Sequence, residues 1–424
     1  MTADPAAPAS AADRATAAVV LARCDELARH TSRDDGLIER VYLSPEQAAV
    51  DAIAAGWMRE AGMTTWRDAA GNRCGRLEGA TPGLPALLIG SHLDTVPAAG
   101  RYDGILGVLG AVAIVDRIRA SGRPLPVALE VVAFADEEGT RFGRALLGSR
   151  ALAGSWDDAW WDLADRDGVA LRDAFAAAGL DPARVGDAAR RPEELVGYLE
   201  AHIEQGPYLE EADRALGVVT SIAAARRLVV RVHGHAGHAG TPFARRRDAL
   251  AGASEVVLAI ERIVRAEGLI ATVGQLTVAP GAVNVIAGEV ELSVDLRAEH
   301  DADRDRVWDL VAAEVDRICT ARGLSWDAHD THRAPAARCD DRLRDAVAHG
   351  VRSTGDADPL ALFSRAGHDA MAVAEVTPMG MLFVRCAGGV SHHPDEAVTE
   401  PDVQAMLDAL EAAVVHVLDD RGAR

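Results

Sequence analysis

The run PALLIGSHLDTVPAAGRYDG (residues 85–104) decides how this chain reads. Its apolar stretch Ala86-Leu87-Leu88-Ile89 stops at Gly90-Ser91-His92, and Asp94 and Asp103 follow in a loop of Gly, Ala and Pro. A short apolar run bounded by turn residues is a strand covered on both faces. In open α/β sheets, ligands bind beyond the carboxyl ends of such strands. The histidine and both aspartates therefore sit where a site is expected.

The pattern recurs. VALEVVAFADEEG (127–139), YLEAHIEQGP (198–207) and TPMGMLFVRC (377–386) are apolar runs, each carrying acids or histidines at its end or just beyond it. ILGVLGAVAIVDRI (105–118) reads as a helix of small and apolar residues, and residues 15–32 and 45–62 read as helices from their three-and-four spacing. Near residue 217 the character changes. RRLVVRVHGHAGHAG reads as a strand and turn. ALAGASEVVLAIERIVRAEG reads as an amphipathic helix with Leu250, Val257, Ile260, Ile263 and Val264 on its stripe. GEVELSVDLR (288–297) alternates Val290, Leu292, Val294 and Leu296 with polar residues, as a half-exposed antiparallel strand does, and is compatible with an edge that pairs. A further helix is expected over 303–322. The expected fold class is α/β: a mostly parallel-sheet catalytic domain in two segments, 1–216 and 332–424, with an inserted α+β domain over 217–331.

Bulk properties narrow the function. The chain has 424 residues, long enough for two domains. Its net charge is −21 and its isoelectric point about 5.1, which disfavours phosphate backbones and anionic lipid. Neither nucleic acid nor membrane is expected as a partner. Every basic residue is arginine, so a Schiff-base lysine and a Walker A loop are excluded. Five scattered cysteines (Cys24, Cys74, Cys319, Cys339, Cys386) read as reduced thiols of a cytoplasmic protein. No secretory leader and no membrane span is legible, and MTADPAAPASAA at the start reads as a frayed tail.

Each chemical feature has a plain alternative. A histidine after a strand, such as His92, is commonly structural. Asp94 can hold the second nitrogen of that ring or cap a turn. Asp103 before Gly104 is also a favoured helix cap. Glu137 and Glu138 form either a solvated acidic turn or a pair that divides labour, one binding a metal and the other moving a proton. His202 and His392 close two further apolar runs. His, Asp, Glu, His and His at strand ends exceed what one tetrahedral zinc needs and suit two divalent ions. Imidazole and carboxylate without thiolate fit Zn²⁺, Mn²⁺ or Co²⁺.

GSHLDTV…YDG, FADEEGTRF, HIEQGP, GHAGHAGTP…RRDAL, VNV…VDLR, SRAGHDA and GGVSHHP, in this order, resemble the amidase branch of the dinuclear metallopeptidase superfamily. That branch holds allantoate amidohydrolases, N-carbamoyl-L-amino-acid hydrolases, β-ureidopropionases and ureidoglycolate amidohydrolases. The resemblance covers residues 20–415. It implies two divalent ions per subunit held by His92, Asp103, Glu138, His202 and His392, with Asp103 between them. It implies Glu137 as general base and Asp94 as the residue orienting His92. The inserted domain becomes a lid and homodimerisation domain, bringing His238, Asn284 and Arg297 to the substrate. Arg297 can grip a carboxylate in a fork, and His238 and Asn284 can donate to a ureido oxygen. Gln205, Ser364, Gly367 and His368 would complete the pocket.

Two departures stand out. HAGTPF is one residue short of the family's usual HAGTTP wording, and Arg365 replaces a glycine in SRAGHDA, which would be strained if that position needs a positive φ. Neither touches an implied ligand. The expected reaction is hydrolysis of a ureido C–N bond in a small acid. The wording HLDTV and AGRYDG favours allantoate, giving ureidoglycine, ammonia and carbon dioxide. An N-carbamoyl-L-amino acid is the alternative substrate. A non-catalytic relative would be expected to lack a ligand or the base, and none is missing; a peptidase is disfavoured by HIEQGP.

Overall fold

The structure is a computed structural model and describes residues 15–422. The tail read from the first twelve residues lies outside them.

In chain order the strands are β1 (Thr64–Arg67), β2 (Arg73–Leu77), β3 (Ala86–His92), β4 (Ala128–Phe134), β5 (Leu195–Ile203), β6 (Leu216–Ile222), β7 (Ala224–His233), β8 (Gly237–His238), β9 (Ile270–Thr272), β10 (Leu276–Ala279), β11 (Val285–Ile286), β12 (Glu289–Ala298), β13 (Ser325–Ala334), β14 (Ala337–Arg338), β15 (Leu360–Ser364) and β16 (Met379–Val384). The larger sheet runs β1-β2-β4-β3-β5-β16-β6-β14, with β15 also on β6. Its centre, β4-β3-β5-β16, is parallel throughout. Antiparallel pairs flank it on either side. Every residue of β3, β4, β5 and β16 is buried, which is why these strands read as unbroken apolar runs.

The helix Ile105–Ala120 is buried around almost its whole circumference. A helix apolar on every side belongs inside a core. Gly107 lets it close onto β5, since a Cβ there would meet the carbonyl of Ala201 at 2.2 Å. The amino-terminal helices span Ala17–Leu27 and Pro45–Glu60; the first stops short of the expected residue 32. The hydroxyl of Ser44 caps the second by accepting from Gln47 N, with Pro45 at its first turn.

The chain divides into two compact units. One comprises the residues up to Thr220, Arg338–Leu362 and those from Gly367 on; the other is Ser221–Ala337 with Phe363–Ala366. The expected boundaries at 217 and 331 fall inside β6 and β13. The sequence of β13, SWDAHDTHRA, is too polar to announce a strand.

The second unit has a sheet in the order β10-β12-β7-β13, with β9 also on β12. β12 alternates as expected, burying Val290, Leu292, Val294 and Leu296. It is not an edge, because β7 lies on one side and β9 and β10 on the other. The helix Ala249–Ala266 buries Gly252, Ala253, Val256, Ala259, Ile260 and Val264. Leu250, expected on the buried stripe, is 39% exposed. The helix makes a close approach at Gly252, where a Cβ would stand 2.3 Å from Leu324.

Candidate metal centre

Parallel pairing brings the carboxyl ends of β3, β4, β5 and β16 to one edge of the sheet. His92 ends β3 and His202 lies one residue from the end of β5. Glu137 and Glu138 follow β4, after Asp136 at a φ of 59°. His392, at a φ of 56°, lies in the loop after β16. Such left-handed backbone at non-glycine residues stores strain, and strain of this kind clusters at functional sites. Gly104 is required next to Asp103: its φ is 72°, and a Cβ would stand 2.4 Å from the His92 ring.

Asp103 is the hub. Its Oδ1 is 3.7 Å from His92 Nε2 and 3.2 Å from His202 Nε2. Its Oδ2 is 3.3 Å from His392 Nε2, which lies 3.5 Å from Glu138 Oε1. Two sets of ligand atoms share Asp103, His92–Asp103–His202 and Asp103–Glu138–His392, each within 4.8 Å; His92–Glu137–Glu138 and Glu200–His202–His368 are as close. Asp103 is buried, with its two oxygens facing the three imidazoles of His92, His202 and His392. Glu137 is buried in the same cluster, and desolvation, reinforced by Glu138, pushes its carboxyl well above the ordinary value.

The imidazoles test whether cations fit here. His92 Nδ1 lies 3.1 Å from the carbonyl of Asp94, and His202 Nδ1 lies 2.9 Å from that of Ile203. Donating there leaves each Nε2 with a lone pair facing Asp103. His202 Nε2 is buried and, despite its closeness to Asp103, makes no hydrogen bond of acceptable geometry. Two lone pairs converging on the Oδ1 of a carboxylate form a ligand set that fits a divalent cation.

Asp94 works through different atoms from those expected. Its backbone carbonyl, not its carboxylate, meets the His92 ring; the carboxylate is 3.7 Å away. That carboxylate accepts the amides of Glu137 and Glu138, each at 3.1 Å. Asp94 therefore fixes the acidic loop as well as the histidine. Gln205, expected against substrate, donates from Nε2 to Asp103 Oδ2 at 2.8 Å. His368 is buried and stacks edge-on against His202 with ring centroids 4.5 Å apart. Burial and the neighbouring His202 push its pKa well below the usual histidine value, so it is neutral.

In the second unit, β8 and β11 pair His238 with Val285, and Ala239 N donates to the carbonyl of Asn284 at 3.0 Å. His238 and Asn284 are thus brought together, both exposed. The shortened loop after His238 is closed by Arg246, which donates to the carbonyls of Ala239 and Thr241. Arg297 is held by Asp295 and by the carbonyl of Arg365. Ser364 is buried, its hydroxyl bonded to Ala366 in its own turn. Arg365 is not among the residues with positive φ, so arginine is unstrained there; its guanidinium lies 4.2 Å over the Phe363 ring. Gly367 likewise lies outside the left-handed region.

Two supports were missed. Glu396 accepts the amides of Tyr102 at 2.8 Å and Asp103 at 3.1 Å, and so fastens the loop that carries the hub. Ser391 Oγ sits 2.6 Å from Asp103 Oδ2 and 3.2 Å from Glu396 Oε2. In the sequence, HHPDE offered only a solvated acidic turn for Glu396.

Residues 88–416 match the model of peptidase family M20/M25/M40. The chain is 40% identical over 409 residues to a probable allantoate deiminase from Oryza sativa subsp. japonica, covering 88% of this chain and 83% of the relative. It is 39% identical over 382 residues to an N-carbamoyl-L-amino acid amidohydrolase from Geobacillus stearothermophilus, covering 90% of this chain and 93% of the relative. A solved hydantoinase/carbamoylase family amidase from Burkholderia ambifaria superposes with a TM-score of 0.85 at 34% identity, covering 94% of this chain and 96% of the other.

Proposed function

The chain belongs to peptidase family M20/M25/M40, and from that footing we propose that it is a metal-dependent amidohydrolase cleaving the ureido C–N bond of a small acid. The observation that carries this reading is the pair of three-residue ligand sets sharing Asp103, with Glu137 buried beside them and left outside both. His92, Asp103 and His202 would hold one divalent ion; Asp103, Glu138 and His392 would hold the other. Zn²⁺, Mn²⁺ and Co²⁺ all suit these donors. Such ions, when bound, supply Lewis acidity that polarises a carbonyl and acidifies water.

This chain's own residues do the rest. Glu137 takes the proton of the attacking water and returns it to the leaving nitrogen. Asp94 keeps the Glu137–Glu138 backbone in place for that transfer. Neutral His368 walls the site without adding charge. In the second unit, His238 and Asn284 are proposed to bind the ureido oxygen and Arg297 the substrate carboxylate. The same unit is proposed to form a homodimer, since Leu258 is 65% exposed and Phe243 84%. Among the described residues no helix is long and apolar enough to cross a membrane. The five buried free cysteines suit a reducing compartment, and the cytoplasm is the proposed location.

Allantoate is the favoured substrate, on the wording around His92 and on the likeness to the plant enzyme. An N-carbamoyl-L-amino acid is the second reading, favoured by an almost equal identity to the bacterial relative. The test is ammonia release by metal-stripped protein resupplied with Mn²⁺ or Zn²⁺. It would be offered allantoate beside N-carbamoyl-L-amino acids and N-carbamoyl-β-alanine. Metal-dependent turnover of allantoate well above the panel supports the first reading. Preference for carbamoyl amino acids selects the second, and no turnover of any ureido acid by metal-loaded protein rejects both.

A further inference from the structure

Asp295 and Arg297 lie two residues apart on β12, on one face of the strand. Arg297 Nε donates to Asp295 Oδ1 at 3.1 Å and Nη2 to Oδ2 at 3.0 Å, so one edge of the guanidinium is engaged in a fork. Nη1 donates to the carbonyl of Arg365 at 2.5 Å. A guanidinium has five N–H groups, and these bonds use one on each nitrogen. Nη1 and Nη2 each keep one N–H.

Asp295 is itself anchored. Its register partner on β7 is Arg227, whose Nε donates to Asp295 Oδ2 at 3.2 Å. Arg227 and Arg297 against one aspartate leave the cluster with net charge +1, still attractive to an anion. Unrestrained, an arginine side chain loses rotamer entropy on binding. Here strand β12 and the Phe363–Ala366 segment have already fixed its plane. A lysine at 297 could not be forked in this way.

We propose that Asp295 is the positioning residue for substrate recognition: it aims the remaining N–H groups of Arg297 at the substrate carboxylate, and thereby selects acids over neutral ureides. This rests on the reading of Arg297 as the carboxylate-binding residue. Asp295 touches no reacting atom. Its removal frees the guanidinium to wander, so binding of the acid weakens while the chemical step is untouched.

The test uses the metal-loaded, full-length protein with whichever ureido acid it turns over best, and with the carboxamide of that acid. The variants are Asp295→Asn and, as a control on the underlying reading, Arg297→Gln. Asp295→Asn is expected to raise KM for the acid by about tenfold with kcat within about twofold, the signature of lost uniform binding. KM for the carboxamide is expected to match that of the wild type. An unchanged or lower KM for the acid overturns the proposal, as does an equal loss on acid and carboxamide. If Arg297→Gln leaves KM for the acid unmoved, the reading of Arg297 fails first, and the proposal falls with it.

Discussion

His202 Nε2 stands 3.2 Å from Asp103 Oδ1, both side chains buried, with no donor hydrogen between them of acceptable geometry. Asp103 shares its other oxygen with His392. Removing the charge of this one carboxylate should therefore weaken both ligand sets together. Asp103→Asn is expected to lower metal content from about two ions per chain to well under one, because binding needs the deprotonated ligand. Elemental analysis after dialysis reads this directly. A variant retaining both ions would show that Asp103 does not join the sets.

Glu137 is in neither set that shares Asp103, though its carboxylate also lies within 4.8 Å of the His92 and Glu138 ligand atoms, so its substitution tests whether it is base or ligand. Glu137→Gln keeps the shape and loses the proton acceptor. Turnover is expected to fall about 10²- to 10⁴-fold, the usual contribution of a positioned acid–base group. Metal content should stay that of the wild type. A loss of metal in step with activity would instead make Glu137 a ligand.

The hub depends on a residue that lies outside both ligand sets. Glu396 accepts the amides of Tyr102 and Asp103, and Gly100 has no side chain because a Cβ there would stand 2.2 Å from the Glu396 carboxyl. Glu396→Ala takes this acceptor from the half-buried Tyr102 amide and the buried Asp103 amide and frees the Asp103 loop. Metal affinity is expected to drop about 10- to 100-fold, as when other supports of ligands are removed. Competition with a chromophoric chelator measures it. Unaltered affinity would mean that the loop holds its shape without Glu396.

The contrast between Glu396 and His92 shows what sequence can disclose. His92, Glu138 and His202 were legible because each falls at or near the end of an apolar run, and such runs are buried parallel strands. Asp103 was ambiguous alone and became a ligand candidate only beside the others. Glu396 acts through backbone amides brought close by the fold, and no local pattern encodes that. β12 read correctly as an alternating strand, yet its place inside the sheet was hidden. Its neighbours β9 and β10 are too short and too exposed to carry a pattern. On the helix Ala249–Ala266 the expected stripe buries Ile260 and Val264, but Leu250 is left 39% exposed and Leu258 faces outward.

Those outward residues bear on assembly. Leu250 and Leu258 are spaced two turns apart on that helix and are 39% and 65% exposed. If this face is where two copies meet, Leu258→Glu places a charge in the contact. Sedimentation equilibrium is expected to show a dimer for the wild type and a monomer, or a dimer weakened by at least about tenfold, for the variant. A wild-type monomer at micromolar concentration, or an unaffected dimer, would move the interface elsewhere.

A last expectation concerns stability rather than catalysis. Asp51 is buried in the helix Pro45–Glu60, and desolvation pushes its carboxyl up to about 7, with Arg73, Arg67 and the Gln47 amide pulling the other way. The folded state thus holds this proton more tightly than the unfolded chain does. Its contribution to stability is complete below about pH 4 and is lost as pH rises through about 7. Between pH 5 and 8 this group alone should cost the wild type about 3 kcal/mol. Asp51→Asn keeps an acceptor for Gln47 and has no proton to lose. Its stability relative to wild type should therefore increase across that interval in urea titrations. A constant difference between the two proteins at both pH values would show that Asp51 stays ionised in the core, its charge carried by Arg73 and Arg67.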